Sequence, residues 1–274
     1  MKPLISIITP VLNNEQFISQ AIENYISEAN EQTELIIVDG GSKDKTVDIL
    51  RSYASLRNDI KWISEKDSGQ SDAMNKGIRL ASGEYISFLN VDDYYSKGTF
   101  RQVTELLTKN QTIQFLVGDC NVWNVDQELV FVNRPSKLEK WHVLSGCHFP
   151  VNPTAYFYKK SLHDMVGFYN EENHYNMDLE FIIQARLFTS FEYKPEIWGN
   201  FRMLPNTKTV SDMEDNLLEI RKQELLKRCL SKVSNYLKFR TKAYLFQRNF
   251  PKKVKHFLHQ IIDKIKFEFN KLKK

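Results

Sequence analysis

Cysteine is scarce in this chain of 274 residues, which contains three: Cys120, Cys147 and Cys229. An odd number of widely separated cysteines disfavours a disulfide framework, and their spacings match no structural zinc site. Because unpaired thiols persist in reducing compartments, we expect three reduced cysteines in a cytoplasmic protein.

Long apolar runs are missing as well. No stretch of about 18 apolar residues occurs, so the sequence predicts no membrane-spanning helix. The opening residues MKPLISIITP indicate a strand that ends at Pro10 and lack the apolar core of a signal peptide. Two glycine patterns that bind phosphates, G-x-G-x-x-G and G-x-x-x-x-G-K-[ST], are also missing. Their absence disfavours a dinucleotide dehydrogenase and a P-loop phosphotransferase.

The net charge of +4 is unevenly distributed along the chain. Residues 211–274 hold 17 Lys and Arg against 7 Asp and Glu. The preceding residues therefore hold 38−17=21 basic and 34−7=27 acidic side chains. A basic C-terminal segment joined to an acidic body predicts that this segment contacts an anionic partner.

Apolar runs of strand length alternate with helical patterns in the first part of the chain. The predicted strands are residues 4–9, 34–39, 60–64 and 85–89. Predicted helices cover 15–29, about 45–54, 70–80 and 99–108, the first capped by Asn13 or Asn14 and the second by Ser42 or Asp44. This order is typical of βαβ units that form a parallel sheet.

The pattern changes after residue 110. Three short strand candidates, QFLVGD, VWNVD and LVFVNR, are separated by turns, and residues 141–153 have no regular pattern. Further on we predict a strand at 154–160, helices from about 161 and over 176–189, and a closing strand FEYKPEIWGNFRM. These elements predict an antiparallel or mixed extension of the sheet, followed by helices beyond residue 211.

Polar side chains follow the predicted strands where each strand ends. They are Thr9 and Asn13, then Asp39, Asp67 and the pair Asp92-Asp93. Because a parallel sheet brings the carboxyl ends of its strands together, these groups are expected to share a crevice. A divalent ion bound to a diphosphate would satisfy such carboxylates. The alternative is a set of solvated acidic turns that cap the helices after them.

Four segments, in order, resemble the consecutive signatures of family 2 glycosyltransferases with the GT-A fold. They are ITPVLNNEQF, ELIIVDGGSKDKTVDIL, WISEKDSGQSDAMNKGI and GEYISFLNVDDYY. The resemblance is closest to bacterial enzymes that build capsule, O-antigen or exopolysaccharide repeat units. It implies a Rossmann-like, mostly parallel sheet with helices on both faces, a mixed acceptor-side extension and a C-terminal helical appendage.

The resemblance also implies a nucleotide-sugar site. Its members would be Thr9, Pro10 and Glu15 at the base and ribose, Asp39 at the base (usually uracil), and Asp72, Asn75 and Lys76 on the donor-side helix. Asp92 and Asp93 match the D-x-D-type element, with Asn90 in place of its first acid. There the last acid, Asp93, would bind Mn²⁺ or Mg²⁺, and Asp92 would face the ribose or the donor sugar.

A catalytic base is implied at the start of a later helix. The family places an Asp there after a G-F-x-x-E stretch, which is Gly167 to Glu171 here, so the resemblance assigns the base to Asp178. Plain helix capping is the alternative for this residue. Glu180 is the nearest competitor, about 200° round the helix, and Arg186 lies near the family's usual arginine position but not at it.

Two histidines and a tryptophan fall in the irregular segment between residues 141 and 153. His142 and His148 are read as structural, although His148 is the better candidate if the ion has a further protein ligand. Trp141 is a candidate for stacking on an acceptor sugar ring.

Taken with the resemblance, the sequence predicts an inverting, metal-dependent glycosyltransferase. It would move a sugar from a nucleoside-diphosphate donor, with UDP favoured, to a glycan or lipid-linked saccharide. Residues 1–110 would form the nucleotide-sugar half, residues 111–205 the acceptor half and residues 206–274 a basic helical tail. The alternatives are a nucleotide-sugar-binding protein without transfer activity and a nucleotidyltransferase.

The tail carries one apolar stripe at helical spacing. Its members are Val254, Phe257, Leu258, Ile261, Ile262, Ile265, Phe269 and Leu272, with most lysines off the stripe. A basic amphipathic helix of this kind suits the surface of an anionic membrane, here the inner face of the cytoplasmic membrane. Packing on the catalytic domain or on a second subunit of a homo-oligomer is the alternative. A nucleic-acid partner is disfavoured, because phosphate binding needs no apolar stripe.

Overall fold

The structure is a computed structural model and describes residues 2–205, 207, 210–211 and 217–248. Its strands are β1 (Ile5–Val11), β2 (Thr33–Asp39), β3 (Ile60–Ser64), β4 (Tyr85–Phe88), β5 (Tyr94–Tyr95), β6 (Phe115–Trp123), β7 (Leu129–Asn133), β8 (Tyr156–Lys159) and β9 (Phe191–Arg202). Its helices are α1 (Ile18–Glu28), α2 (Thr46–Ala54), α3 (Gln70–Leu80), α4 (Thr99–Lys109), α5 (Lys140–Leu144), α6 (Leu162–Val166), α7 (Met177–Phe188), α8 (Leu217–Ser231) and α9 (Asn235–Arg248).

All of these strands join one sheet in the order β3-β2-β1-β4-β8-β6-β9-β5, with β7 paired to β6. Strands β3, β2, β1 and β4 run parallel to one another. Strand β8 runs antiparallel to both β4 and β6, and β9 runs parallel to β6. The predicted α/β fold, with a parallel first half and a mixed extension, is confirmed.

Helices cover both faces of the sheet, because the parallel strands are apolar on both sides. Successive residues of β1 show this: Ile7 belongs to a core cluster with residues of α1, α2 and α4, whereas Ile8 belongs to one with residues of α3, α5 and α7. Helix α3 lies close to the sheet at Gly77, where an added Cβ would stand 2.3 Å from Cγ2 of Ile8. This close packing fixes α3 over the carboxyl ends of the parallel strands.

Several sequence predictions of element ends were wrong. Strand β1 continues through Pro10, which pairs with Val38. The missing N–H of proline is tolerated there because the recorded pairing of β1 with β4 ends at Ile8. Neither Asn13 nor Asn14 caps α1 with its side chain.

The second half of the chain is more regular than predicted. QFLVGD, apart from Gln114, and the first two residues of VWNVD lie in a single strand, β6, because β9 pairs with β6 across the predicted turn. The segment 141–153 contains most of α5, and the two-residue strand β5 was not predicted.

The C-terminal helices α8 and α9 pack on the body of the chain through α5 and α7. Leu225 and Leu226 of α8 join the core on the α7 side of the sheet. No helix in the described ranges is long and apolar enough to cross a membrane. The predicted apolar stripe at 254–272 lies outside the described residues.

Candidate functional site

The turn after β4 is the centre of the candidate site. It carries Asn90, Asp92 and Asp93 out of the sheet beside the end of β1. Strand β5 follows at once and pairs with the last residues of β9, so the turn is held between two strand pairs. The sequence placed these acids at a sheet edge, and the structure does so too.

Asp93 is buried, and its carboxylate is enclosed by protein donors. The side chains of Asn90 and Asn152 donate to Oδ2 at 3.0 and 2.7 Å, and the backbone N–H of Arg202 donates to Oδ1 at 3.1 Å. Burial, followed by the charge of Asp92, raises the pKa of Asp93 well above its usual value. This environment fits a carboxyl that fixes the turn. Its carboxylate is enclosed by these donors in this conformation, and the assignment of Asp93 as the metal ligand stays a prediction.

Asp92 differs from its neighbour in exposure and in hydrogen bonding. The residue is partly exposed, and within the described residues no side chain hydrogen-bonds its carboxylate. Burial raises the pKa of Asp92, whereas the nearby guanidinium of Arg202 lowers it. That guanidinium donates from Nε to the backbone carbonyl of Asp92 and so holds the turn in place.

The donor set of this turn fits a cation that is shared with a substrate. The described residues contain no group of three His, Cys, Asp or Glu side chains that could hold an ion by themselves. Magnesium in phosphate-handling sites keeps several waters and takes only one or two carboxylates, the remaining ligands being phosphate oxygens. Asp92 would supply the protein ligand in such an arrangement.

Asp39 ends β2 and is fully buried. Its Oδ2 accepts from the backbone N–H groups of Gly41 and Ser42, both at 3.1 Å, and from the Ser64 hydroxyl at 2.6 Å. The Ser42 hydroxyl donates to Oδ1. Because all of these donors are internal, Asp39 shapes the turn, and its role towards a base stays a prediction.

Two loops beside Asp39 are joined by reciprocal hydrogen bonds. Oε2 of Glu15 accepts from the backbone N–H of Lys45 at 2.8 Å, and Oδ2 of Asp44 accepts from the backbone N–H of Glu15 at 3.0 Å. Asn13 takes a positive φ of 46° so that its side chain can accept from Lys43. Glu15 thus orients the loop beyond Pro10, next to the predicted base and ribose position.

Helix α3 places the remaining predicted donor-side residues. Lys76 lies 3.1 Å from Glu65 and 3.3 Å from Asp72, so Asp72 and Lys76 are partly buried and already ion-paired. Asn75 is buried and exchanges two hydrogen bonds of 2.9 Å with the backbone of Tyr169. The Asn75 amide therefore ties α3 to the segment before α7, which leaves it no open face for a nucleotide.

Asp178 lies in the first turn of α7 and accepts no side-chain or capping hydrogen bond at Oδ1, which is buried. Burial alone raises the pKa of Asp178 to about 6. Its charge in turn raises the pKa of the buried Tyr156, so the two groups are close enough to interact electrostatically. Glu180, by contrast, receives hydrogen bonds of 2.8 Å from both Asn173 and Arg228.

Four buried side-chain atoms in the described residues have no hydrogen-bond partner: Thr9 Oγ1, Tyr156 Oη, Asp178 Oδ1 and Arg202 Nη2. Thr9 lies two residues before the end of β1, Tyr156 opens β8 and Arg202 closes β9, so these three lie at or near strand ends on the side of the Asp92-Asp93 turn. Buried polar atoms are nearly always satisfied, so their grouping marks a place where a ligand or water completes the structure. Sequence reasoning missed Arg202, Asn152 and Tyr156, because no local motif marks them.

The histidines of the irregular segment belong to a contact between α5 and α9. Nε2 of His148 lies 2.6 Å from the Tyr244 hydroxyl, and the His142 ring stacks edge-on to Tyr244 at 4.5 Å. The Arg240 guanidinium covers the Trp141 ring at 3.9 Å. The structural interpretation of both histidines fits these contacts, whereas the suggestions of a metal ligand at His148 and a sugar platform at Trp141 do not.

Comparison with known proteins gives a consistent picture. A profile described as "Glycosyl transferase family 2" matches residues 6–173, which is more than half of the chain. The "Uncharacterized glycosyltransferase EpsJ" of Bacillus subtilis is 38% identical over 111 residues, which are 40% of this chain and 32% of that protein. The "Putative teichuronic acid biosynthesis glycosyltransferase TuaG" of the same organism is 35% identical over 107 residues, 39% of this chain and 42% of that protein. The matches span less than half the length of these two relatives.

Among solved structures, S. aureus TarS 1-349 in complex with UDP-GlcNAc superposes with a TM-score of 0.68. The superposition covers 91% of this chain and 76% of that one, at 16% sequence identity. The two chains therefore share a fold.

Proposed function

The chain belongs to glycosyltransferase family 2, and on that basis we propose that it is an inverting, metal-dependent glycosyltransferase of the GT-A fold. The donor is a nucleoside-diphosphate sugar, with UDP favoured, and the acceptor is a glycan or lipid-linked saccharide. The pathway class is capsule, O-antigen or exopolysaccharide synthesis. Residues 1–110 form the nucleotide-sugar half of the domain, and residues 111–205 form its acceptor half.

The observation that carries this proposal is a pair of carboxylates with different surroundings. Asp92 is partly exposed and without side-chain donors, whereas Asp178 has a buried, unpartnered oxygen. The segment 152–156 connects them, since Asn152 donates to the Asp93 next to Asp92 and Tyr156 is close enough to Asp178 to interact electrostatically. When two carboxylates of one site have different surroundings and pKa values, they usually perform different catalytic steps.

Each carboxylate can perform one part of an inverting displacement. The donor's diphosphate gains negative charge as the glycosidic bond breaks, and a Mn²⁺ or Mg²⁺ ion at Asp92 would offset that charge when bound. Asp178 takes the proton of the attacking acceptor hydroxyl. Its pKa of about 6 leaves it ionised at neutral pH yet more basic than an ordinary carboxylate.

The first test is a panel of UDP-, GDP- and dTDP-sugars with a lipid-linked saccharide acceptor. We expect release of nucleoside diphosphate from one donor class, transfer with inverted anomeric configuration, loss of turnover in EDTA, and recovery with Mn²⁺ or Mg²⁺. Nucleotide binding without release would favour the nucleotide-sugar-binding alternative. Pyrophosphate release from a nucleoside triphosphate would favour a nucleotidyltransferase. Full turnover in EDTA would show that the reaction needs no metal ion.

We also propose that the C-terminal segment binds the inner surface of an anionic membrane. The described part of that segment supports this, because α9 packs on α5 through Arg240 while the rings of Tyr236 and Phe239 on the same helix are 61% and 69% exposed. Lys232 and Lys242 flank these rings and are exposed as well. Exposed aromatic rings beside cations match the lipid headgroup region.

Binding to phosphatidylserine-containing liposomes tests the membrane proposal. We expect salt-sensitive binding of the whole chain and the largest loss of binding in a chain that ends at Asn249. Tyr236→Ser/Phe239→Ser should lose roughly tenfold or more, because two rings that would be buried in the lipid are removed. Phe188→Ser is the matched control, since Phe188 is 62% exposed on α7. Equal binding by all variants, or dimerisation of the whole chain without liposome binding, would favour packing on protein instead.

A further inference from the structure

Arg202, at the end of β9, brings a guanidinium group into the turn that follows β4. Its Nε donates to the carbonyl of Asp92, and its Nη1 donates to Oε1 of Gln20 at 3.1 Å. The rings of Phe17 and Tyr94 lie 5.3 and 5.9 Å from its Cζ. These contacts hold the positive charge in one orientation beside the candidate cation ligand.

One donor of this group is left over. Nη2 of Arg202 is buried and has no hydrogen-bond partner among the described residues. A buried donor on a charged group is costly to leave unmet, so its presence points to an acceptor that arrives with a ligand. The planar guanidinium matches the oxygens of a phosphate better than any other side chain does.

The negative charge at this edge of the sheet favours a cationic side chain that binds phosphate. Four acids stand at or near the strand ends, namely Asp39, Asp67, Asp92 and Asp93. A diphosphate adds further negative charge to them and cannot bind without compensating cations. Lys76 is already paired with Glu65 and Asp72, whereas Arg202 forms no ion pair within 4.0 Å in the described part of the chain.

From these observations we infer that Arg202 binds the diphosphate of the nucleotide donor and stabilises the leaving nucleoside diphosphate. The bond to Gln20 lies on the solvent-exposed side. Exchange of Gln20 for a phosphate oxygen lets the guanidinium turn towards the ligand while Nε stays bound to Asp92. The inference deepens the proposed function and rests on its nucleoside-diphosphate donor.

The experiment compares the binding of a nucleoside diphosphate with that of the bare nucleoside. Calorimetry with UDP, GDP and dTDP selects the nucleotide that the unaltered chain prefers, and its nucleoside serves as the reference ligand. Each is measured in Mn²⁺ and in EDTA, on Arg202→Gln, Arg202→Lys and the unaltered chain. Arg134→Gln is the control, since Arg134 is an exposed arginine after β7 that lies 3.4 Å from Asp119.

We expect Arg202→Gln to bind the diphosphate about 10- to 100-fold more weakly, with nucleoside binding unchanged. The loss of diphosphate affinity is the same in EDTA, because Arg202 contacts the phosphates directly and not through the metal ion. Arg202→Lys keeps the charge but loses the planar pair of donors, so its affinity for the diphosphate lies between those of Arg202→Gln and the unaltered chain. Arg134→Gln binds both ligands as the unaltered chain does.

Equal weakening of nucleoside and diphosphate would show that Arg202 only supports the turn and would overturn the inference. So would unchanged binding of both ligands. If the unaltered chain binds none of the three diphosphates, the proposed donor class is wrong and the inference falls with it. The two failures are therefore distinguishable.

Discussion

Replacing Asp178 by Asn is expected to lower kcat by about 10²–10⁴-fold. The amide keeps the shape of the side chain but cannot accept the proton of the acceptor hydroxyl. Donor binding should remain within experimental error, because the donor site is built by other strand ends. Steady-state kinetics together with calorimetric donor binding separate the two effects.

The pH dependence of the same reaction gives an independent check. Because burial raises the pKa of Asp178 to about 6, the ionised base is lost as the pH falls through that value. We expect kcat to rise with pH up to a plateau above about 7, and we expect Asp178→Asn to lack this limb.

The stability of the Asp178→Asn variant should move in the opposite direction to its activity. A carboxyl whose folded pKa lies above its unfolded pKa of 3.8 destabilises the fold at every pH above that value, with the full effect reached above about 6. Removal of the charge should therefore leave Tm at neutral pH unchanged or higher. A large drop in Tm would mean that Asp178 is chiefly structural.

Glu180→Gln is the matched control for the base. Glu180 lies two residues along the same helix. Its carboxylate accepts hydrogen bonds from Asn173 and Arg228, so its role is structural. We expect a modest stability loss and near-normal turnover. If Glu180→Gln were inactive and Asp178→Asn active, the base would have to be reassigned by two positions.

The two acids after β4 are expected to respond in opposite ways to the same change. Asp92→Asn should abolish Mn²⁺-dependent turnover and weaken Mn²⁺ binding with little change in Tm, because its carboxylate accepts no side-chain hydrogen bond within the described residues. Asp93→Asn should lower the free energy of unfolding by about 1–3 kcal/mol, because an amide cannot accept from both sides at once. Its three donors come from Asn90, Asn152 and Arg202.

Manganese binding by electron paramagnetic resonance, in the presence of nucleoside diphosphate, and thermal unfolding distinguish the pair. Asp48→Asn is the control, since Asp48 is an exposed acid on α2 paired only with Arg51 at 2.9 Å among the described contacts. Loss of Mn²⁺ binding in Asp93→Asn at unchanged Tm, with normal binding in Asp92→Asn, would restore the assignment made from the sequence.

Local patterns predicted the first half of the fold well. Helix α3 and strand β3 have the predicted ends, because their apolar periodicity and flanking residues act over a few positions. Prediction failed where a partner strand decides the outcome. Pro10 stays in β1 since β2 pairs with it, and Tyr94-Tyr95 becomes a strand only because β9 lies beside it.

The sequence by itself determined the family, the parallel half of the sheet and the positions of Asp92, Asp93 and Asp178 at the ends of their elements. It could not determine which acid of the pair is open to a ligand. That depends on Asn152 and Arg202, which lie 59 and 109 residues beyond Asp93 and reach its carboxylate only in the folded chain. Hydrogen bonds and burial act through space, so the tertiary structure alone encloses Asp93, exposes Asp92 and leaves the Asp178 oxygen without a partner.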